Sequence, residues 1–195
     1  HKTNCFKCIK NGACELQAMA REYGIDVPNF KSSHGDVQHE PFDAHPFLSY
    51  DPGLCIQCQR CISTCAKATG RHALSLERNG ARVYVKVPFG EGWENSLCES
   101  CGNCAQACPT GALTIKRRKN YREWEVKKVR TTCPHCATGC QMDLYVKDGK
   151  IVDVQGADGT SNHNLLCVKG CSGSFDFVDC DARIRYPLIK TKETG

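Results

Sequence analysis

Two runs of four cysteines have the same spacing, and they are the residues in this sequence best suited to hold a metal centre. The runs read Cys55-x2-Cys58-x2-Cys61-x3-Cys65 and, 43 residues later, Cys98-x2-Cys101-x2-Cys104-x3-Cys108 followed by Pro109. A cubane iron–sulfur cluster takes one thiolate on each of its four irons, and three thiolates at this spacing can reach one cluster from a single tight loop. The fourth thiolate must then come from elsewhere in the chain.

The duplication of the run indicates where each fourth ligand lies. In two-cluster ferredoxins the fourth cysteine of each run ligates the cluster of the other run. We therefore predict two [4Fe–4S] centres with exchanged fourth ligands. The first quartet is Cys55, Cys58, Cys61 and Cys108. The second quartet is Cys98, Cys101, Cys104 and Cys65. Zinc is the alternative, but structural zinc sites use C-x2-C pairs rather than three cysteines at this spacing.

In two further groups, three closely spaced cysteines are accompanied by a fourth potential ligand. The N-terminal group is His1, Cys5, Cys8 and Cys14. A neutral imidazole in place of one thiolate makes a cluster less negative and should raise its reduction potential, as histidine ligation does in Rieske centres. The Cys133 quartet is Cys133, Cys136, Cys140 and Cys167. Zinc competes for this last quartet by spacing alone, and a fourth [4Fe–4S] cluster is favoured because it extends the same series.

Composition favours small modules that are organised by metal clusters. Seventeen of 195 residues are cysteine, and about 9% is typical of a cysteine-built scaffold rather than of one large apolar core. Disulfides are the alternative, but closely spaced cysteines in a tight turn suit a shared centre and would strain separate bridges. Cys171 and Cys180 remain as unligated thiols, although Cys171 could compete with Cys167 as a ligand.

Charge and hydropathy limit the possible partners. The formal net charge is +5, and four clusters with their thiolates would turn it negative. The basic residues 116–130 could therefore offset cluster charge; a solvated linker and a nucleic-acid surface are the alternatives, and we expect no nucleic acid. No apolar run approaches the length of a membrane helix, so no membrane span is expected. A targeting segment before His1 is left open.

The elements that would carry these residues are short. Residues 15–24 read as a helix that ends at Gly24, and residues 25–52 read as a linker or wrapping loop. Asn79-Gly80 and Asp148-Gly149 are hairpin signals, the first followed by alternating Val83, Val85 and Val87. A short helix is expected at residues 165–170, LLCVKG. The fold class is α+β, divided into small cluster-organised modules.

The order of these motifs resembles the N-terminal part of the catalytic (alpha) subunit of cytoplasmic molybdenum- or tungsten-dependent formate dehydrogenases, which are molybdopterin oxidoreductases. Besides the cysteines, the phrases KNGACELQAMAREYG, VRTTCPHCATGCQMDLYVKDGKIV, LCVKG and RYPLIK carry the resemblance. The motif that begins at Cys133 departs from the family at His135, Ala137 and Thr138, and Cys171 stands where the family more often has Arg.

The resemblance implies three domains and a larger enzyme. They are a one-histidine/three-cysteine module over residues 1–40, a two-cluster ferredoxin-like domain over 41–118, and a small β-rich molybdopterin-oxidoreductase [4Fe–4S] domain over 119–195. It implies molybdopterin guanine dinucleotide with Mo or W outside these residues, with Lys169 between the last cluster and the pterin. No residue that performs the formate chemistry is expected in this segment. The resemblance to these formate dehydrogenases also implies a cytoplasmic location.

The expected function is electron relay between formate or CO2 chemistry and a partner. The expected partners are NAD(P)-, flavin- or ferredoxin-linked or hydrogenase subunits in a hetero-oligomer. The alternative is an electron-transfer subunit without formate chemistry, either stand-alone or of hydrogenase or complex-I type. The large iron–sulfur subunit of complex I shares the one-histidine/three-cysteine box, and the paired cysteine runs argue against it. The [FeFe] hydrogenases share the box and both runs but continue into other cysteine patterns.

Overall fold

The computed structural model describes residues 5–25, 45–79, 82–86, 93–116, 121–173, 175, 177, 178 and 180–191. Within these residues the α-helices are α1 Glu15–Glu22, α2 Arg60–Thr69, α3 Asn103–Gln106 and α4 Val168–Gly173. The strands are β1 Leu48–Tyr50, β2 Ser75–Asn79, β3 Arg82–Lys86, β4 Leu113–Ile115, β5 Lys127–Thr132, β6 Gln141–Lys147 and β7 Lys150–Gly156. This mixture of short helices and strands agrees with the predicted class. His1, Gly80 and Val87 lie outside the described residues.

The apolar core is divided into separate clusters, as the composition predicts. The largest joins Leu48, Tyr50, Leu74, Val85, Trp93 and Leu113 with the sulfurs of Cys61 and Cys104. A second surrounds Val154 and Leu166 and includes Cys133 and Cys171. A third consists of Tyr121, Tyr145 and Val152. Because cysteines belong to two of these cores, whatever the thiols bind also contributes to holding the modules together.

The paired cysteine runs lie in a unit built on β1 and β4. These strands are antiparallel, with Leu48 opposite Ile115 and Tyr50 opposite Leu113. Helices α2 and α3 begin within the two runs and pack against each other. The prediction of a loop over residues 25–52 is wrong at its end, because residues 48–50 form β1. Three residues are too few to show the alternation of apolar and polar side chains that identifies a strand. The strand forms because it pairs with β4, which is distant in the sequence.

Hairpins join β2 to β3 and β6 to β7. Strands β2 and β3 are antiparallel with Asn79 opposite Arg82, where the first hairpin was predicted. Strands β6 and β7 pair with Lys147 opposite Lys150, so that Asp148 and Gly149 form a two-residue turn. Both turn residues have positive φ, +51° and +74°, as a type I′ turn requires. The second hairpin prediction is therefore confirmed.

The basic segment is folded rather than a free linker in its described part, residues 121–130. Residues 127–132 form β5, the edge strand of the three-stranded sheet β5-β6-β7. Its charges pair locally: Arg130 Nε lies 2.5 Å from Asp143 Oδ1, and Lys128 pairs with Glu123. These contacts show that much of the basic segment forms the polar face of the edge strand β5.

Helix α1 ends where the sequence predicts, near Gly24, whose φ is +63°. Met19 in this helix and Tyr23 just after it are exposed, with 56% and 70% of each residue accessible, whereas Leu16 is partly buried. In the part of the chain that the structure describes, no helix has the length and apolar character needed to cross a membrane.

Candidate metal centres

Both cysteine runs turn around their second cysteine in the same way. Gln57 and Gln59 flank Cys58 with φ of +58° and +62°, and Ser100 and Gly102 flank Cys101 with φ of +57° and +79°. Three of these four residues are not glycine, although the left-handed region costs other residues roughly 1 kcal/mol or more. The repeated left-handed pair lets three cysteine side chains converge from one loop.

The first quartet lines one cavity. Cys55, Cys58, Cys61 and Cys108 border it together with apolar groups that include Tyr50 and Val85. Burial, together with the neighbouring charges of Cys108, Cys55 and Cys58, raises the pKa of Cys61 to about 12. Four sulfurs that influence one another around one pocket form a donor set suited to one cluster, because each iron of a cubane takes one thiolate.

The second quartet lines another cavity. Cys65, Cys98, Cys101 and Cys104 border it, with Leu48, Leu74 and Trp93 among the apolar residues. Burial raises the pKa of Cys104, and the nearby thiols reinforce the shift. Burial likewise raises the pKa of Cys98, with smaller contributions from Cys101 and Cys65. In both cavities the fourth cysteine of one run therefore lies with the first three of the other.

Backbone N–H groups also point at these sulfurs. The N–H of Gln57 donates to Cys55 Sγ at 3.3 Å, and that of Ala73 donates to Cys65 Sγ at 3.4 Å. Hydrogen bonds to cluster sulfurs stabilise negative charge and help to set the reduction potential. The loops therefore provide donors as well as ligands.

The Cys133 quartet lies where β5 passes into β6 and where α4 begins. The N–H of Cys133 donates to the carbonyl of Cys140 at 2.8 Å, which closes the loop. Burial raises the pKa of Cys140, and the charges of Cys133, Cys136 and Cys167 act in the same direction. These four residues are thus brought together in the structure.

Lys169 lies close enough to the Cys133 quartet to act on it electrostatically. Hydrogen bonds from Thr138 are the main reason why the pKa of Cys136 is lowered, and the charge of Lys169 adds to the effect. Cys136 is exposed, as is Cys167, so this side of the quartet faces away from the apolar core. The role predicted for Lys169 toward a pterin stays a prediction.

The N-terminal cysteines pack against the loop that follows Cys108. The N–H of Cys8 donates to the Cys5 carbonyl at 3.1 Å. A methyl group on Gly111 would come within 2.9 Å of Cys8 Sγ, so this sulfur lies directly against Gly111. The backbone N–H of Glu15, next to Cys14, donates to the Pro109 carbonyl at 3.1 Å. His1 as their fourth ligand stays a prediction.

All seventeen cysteines lie within the described part of the chain, and none of them is in a disulfide. Among the described residues, no three His, Cys, Asp or Glu side chains converge tightly enough for one metal ion. A single ion needs such close convergence, whereas a cubane distributes its four thiolates over four irons.

Sequence reasoning missed several contacts that join the modules. The Gln106 side chain exchanges two hydrogen bonds with the backbone of Leu166, next to Cys167. Cys171 is 3% exposed, and its thiol lies 3.5 Å from the carbonyl oxygen of Cys101. Burial raises the pKa of Cys171 to about 11, which keeps the thiol protonated and able to donate. These contacts join residues far apart in sequence, so no local pattern reveals them.

Asn162 and Arg122 are two further residues that the sequence did not single out. The Asn162 amide accepts from the N–H of Gln141 and donates to the carbonyls of Gln141, Ala157 and Leu165, all within 3.1 Å. It thereby fixes the loop beside Cys140. Arg122 donates to the carbonyls of Cys8, at 2.9 Å, and of Phe6. Part of the basic segment thus binds the N-terminal cysteine loop.

Three separate parts of the chain match known protein families. Residues 1–28 match the NADH-ubiquinone oxidoreductase-G iron-sulfur binding region. Residues 46–114 match the NADH-quinone oxidoreductase subunit 3 ferredoxin-like domain. Residues 126–176 match the molybdopterin oxidoreductase Fe4S4 domain. Three parts of the chain are therefore similar to iron–sulfur domains of oxidoreductases.

The relatives of these iron–sulfur domains are oxidoreductases. The chain is 34% identical over 198 residues to a G-type subunit of NADH-quinone oxidoreductase of Rhizobium meliloti (strain 1021), covering all of this chain and 22% of that protein. It is 26% identical over 237 residues to a formate dehydrogenase-like protein of Staphylococcus haemolyticus (strain JCSC1435), covering 97% of this chain and 23% of that protein. The chain thus spans less than a quarter of the length of either relative.

A solved structure gives a similar picture. A chain of an NAD+-reducing [NiFe]-hydrogenase in the H2-reduced state is 28% identical, with a TM-score of 0.50 over 59% of this chain and 48% of the hydrogenase chain. The paired cysteine runs do not argue against a complex-I-type subunit as predicted, because a G-type subunit of NADH-quinone oxidoreductase matches the whole chain. The resemblance to molybdopterin oxidoreductases is confirmed for the Fe4S4 domain.

Proposed function

We propose that this chain relays electrons through four [4Fe–4S] clusters within a larger, multi-subunit oxidoreductase. The observation that carries the proposal is that the two quartets deduced from exchanged ligation each line one cavity. The first cluster would be held by Cys55, Cys58, Cys61 and Cys108, and the second by Cys98, Cys101, Cys104 and Cys65. The Cys133 quartet would hold a third. His1, Cys5, Cys8 and Cys14 would hold the fourth.

Contacts between the modules support an order for the relay. The Cys133 quartet is linked to the second quartet through Cys171, whose N–H donates to the Cys167 carbonyl and whose thiol approaches the Cys101 carbonyl. At the other end, Cys8 lies against Gly111, three residues beyond Cys108 of the first quartet. Electrons would pass from the Cys133 cluster through the second and first clusters to the N-terminal cluster, or in reverse.

The domain limits follow the same modules. We place the one-histidine/three-cysteine module in residues 1–40, the ferredoxin-like domain in 41–118 and the last [4Fe–4S] domain in 119–195. Each family match lies inside one of these ranges. Electrons would exchange at one end with molybdopterin carrying Mo or W, near Lys169, and at the other with an NAD(P)-, flavin-, ferredoxin- or hydrogenase-linked subunit.

Formate oxidation, or CO2 reduction in reverse, is the first candidate for the chemistry at the molybdopterin end, in a cytoplasmic enzyme. The matched Fe4S4 domain and the similarity to a formate dehydrogenase-like protein support it. An NADH-quinone oxidoreductase or hydrogenase type of relay without formate chemistry is the second candidate. The match to the NADH-quinone oxidoreductase of Rhizobium meliloti and the likeness to an NAD+-reducing hydrogenase favour it equally.

Metal analysis and spectroscopy test the relay itself. Anaerobically reconstituted protein should bind about sixteen irons and as many sulfides, and should be brown, if four cubane clusters are present. Dithionite reduction should then produce electron paramagnetic resonance (EPR) signals of interacting reduced clusters. A colourless protein with stoichiometric zinc would contradict the relay.

The natural full-length protein distinguishes the two candidate functions. Formate should reduce its clusters under anaerobic conditions in the first case, whereas NADH or H2, with the partner subunits present, but not formate, should reduce them in the second. The matched control is the same protein purified without Mo and W, which should lose the response to formate and keep the EPR signals after dithionite reduction. Reduction by formate of the metal-depleted protein would contradict the formate candidate.

A further inference from the structure

His45 is a buried residue outside every predicted ligand set, and it adjoins the second quartet. It is 2% exposed and precedes Pro46 and strand β1. The ring of Trp93 packs edge-on against the imidazole, with centroids 4.9 Å apart at 87°. The imidazole is therefore held in one position and shielded from water.

Two backbone donors determine which imidazole nitrogen carries the proton. The N–H groups of Phe47 and Leu48 both donate to His45 Nδ1, each at 3.0 Å. A ring nitrogen that accepts hydrogen bonds presents a lone pair, so the proton of the neutral ring lies on the other nitrogen. Nε2 is therefore the donor, and local backbone geometry fixes this tautomer.

That donor faces a sulfur of the second quartet. Nε2 lies 3.5 Å from Cys98 Sγ and 3.5 Å from the hydroxyl oxygen of Ser100. The serine hydroxyl can rotate to donate or accept, whereas a cluster thiolate only accepts. With a thiolate at Cys98, the N–H of His45 has a charged acceptor within reach.

We propose that His45 is a positioning residue that donates a hydrogen bond from Nε2 to the Cys98 thiolate and raises the reduction potential of the second cluster. The inference rests on the proposed function, since it requires a cluster on Cys98, Cys101, Cys104 and Cys65. One electron makes a cluster more negative, so a donor to its sulfur stabilises the reduced form more than the oxidised form. His45 thus favours the second cluster as an electron acceptor.

Two substitutions separate the donor from the structural role of the ring. In His45→Asn, the side-chain oxygen occupies a position similar to Nδ1 and can accept from Phe47 and Leu48, but nothing replaces Nε2. In His45→Gln, the amide reaches the position of Nε2 and can donate to Cys98, while the acceptor for the two backbone N–H groups is lost. The first cluster, held by Cys55, Cys58, Cys61 and Cys108, serves as the internal control in both.

The measurement is an EPR-monitored redox titration of the reconstituted protein. We expect His45→Asn to lower the midpoint potential of the second cluster, with the reduced-to-oxidised ratio at fixed solution potential falling about tenfold, the scale of one hydrogen bond to a charged group. His45→Gln should retain most of the wild-type potential, and the first cluster should not shift. Equal shifts in both variants, or no shift in a fully loaded His45→Asn protein, would overturn the inference.

A measurement on the unaltered protein covers the case in which a variant does not fold. Electron–nuclear double resonance of the reduced protein, with histidine labelled by ¹⁵N, should detect a histidine nitrogen and an exchangeable proton coupled to the second cluster. Absence of both couplings would overturn the inference while leaving the relay intact. Absence of the second cluster from wild-type protein would instead overturn the relay, and the inference with it.

Discussion

The side-chain amide of Gln106 forms a two-bond pair with the backbone of Leu166. Its Nε2 donates to the Leu166 carbonyl at 2.9 Å, and its Oε1 accepts from the Leu166 N–H at 3.0 Å. Gln106 lies between Cys104 and Cys108, and Leu166 precedes Cys167. One side chain therefore connects the ferredoxin-like unit directly to the last predicted cluster ligand.

Replacing this amide should loosen the connection. In Gln106→Glu the carboxylate cannot donate and faces the Leu166 carbonyl, so we expect a loss of about 1–3 kcal/mol in stability. Spin coupling between the Cys133 cluster and the second cluster should weaken, as EPR of the reduced protein would reveal. Gln17→Glu is the matched control, because the Gln17 side chain bonds to its own N-terminal loop, at Asn11 and Gly12. Unchanged coupling in Gln106→Glu would show that the pair does not hold the modules together.

Exchanged ligation makes a specific prediction about pairs of substitutions. Cys58→Ser and Cys108→Ser should both damage the first cluster. The double variant should therefore lose about four irons in total, the same number as a single variant that loses this cluster completely. Cys101→Ser combined with Cys108→Ser should damage both clusters and lose about eight irons.

Iron and sulfide analysis after anaerobic reconstitution measures these losses. Cys180→Ser, at an exposed thiol outside the predicted ligand sets, is the control and should retain all iron. The reverse result, with about eight irons lost from the first pair and about four from the second, would mean that each run keeps its own fourth cysteine.

The two left-handed residues that follow the second cysteine of each run should respond in opposite ways to substitution. In Gly102→Ala the new methyl group would lie 3.0 Å from Cys171 Sγ at a φ of +79°, so we expect a loss of about 1–3 kcal/mol. In Gln59→Gly the φ of +62° becomes unstrained, and the folded protein should gain up to about 1 kcal/mol.

Anaerobic thermal melts of the two loaded variants provide the comparison. Because a methyl group at Gly102 would meet Cys171 Sγ, Gly102→Ala combined with Cys171→Ala should recover part of the lost stability. Failure of the double variant to recover any stability would show that backbone strain alone explains the cost of Gly102→Ala.

Arg122 should protect the N-terminal cluster. Its guanidinium donates to the carbonyls of Cys8 and Phe6, and a lysine ammonium cannot reproduce this fork. We expect Arg122→Lys to release iron from that cluster several-fold faster in a chelator challenge, followed by absorbance and by the EPR signal of the N-terminal cluster.

Arg130→Lys provides the matched control for Arg122→Lys. Arg130 also makes two hydrogen bonds through its guanidinium, but to the carboxylate of Asp143 on the β5-β6 pair. Iron release in this control should keep the wild-type rate. Equal rates in the two variants would show that a positive charge at residue 122 is sufficient and that the paired hydrogen bonds of the Arg122 guanidinium are not required.

The sequence by itself determined the features that depend on short spacing. Cysteines with two or three residues between them can share one loop, so the two runs and the Cys133 loop were recognisable from the sequence. Their duplication predicted which fourth cysteine would join each quartet, and the structure brings those residues to the same cavities. Asp148-Gly149 predicted its turn because few other residue pairs tolerate two successive positive φ angles.

The tertiary structure alone decided how the modules meet. His45 lies 53 residues from Cys98, Gln106 lies 60 from Leu166, and Cys171 lies 70 from Cys101. Each is a contact between one side chain and a distant backbone or sulfur atom, and it belongs to no repeating pattern along the chain. A helix or strand leaves its period in the sequence because neighbouring residues share one geometry. A hydrogen bond between modules depends on how they pack, and that is defined only once the chain has folded.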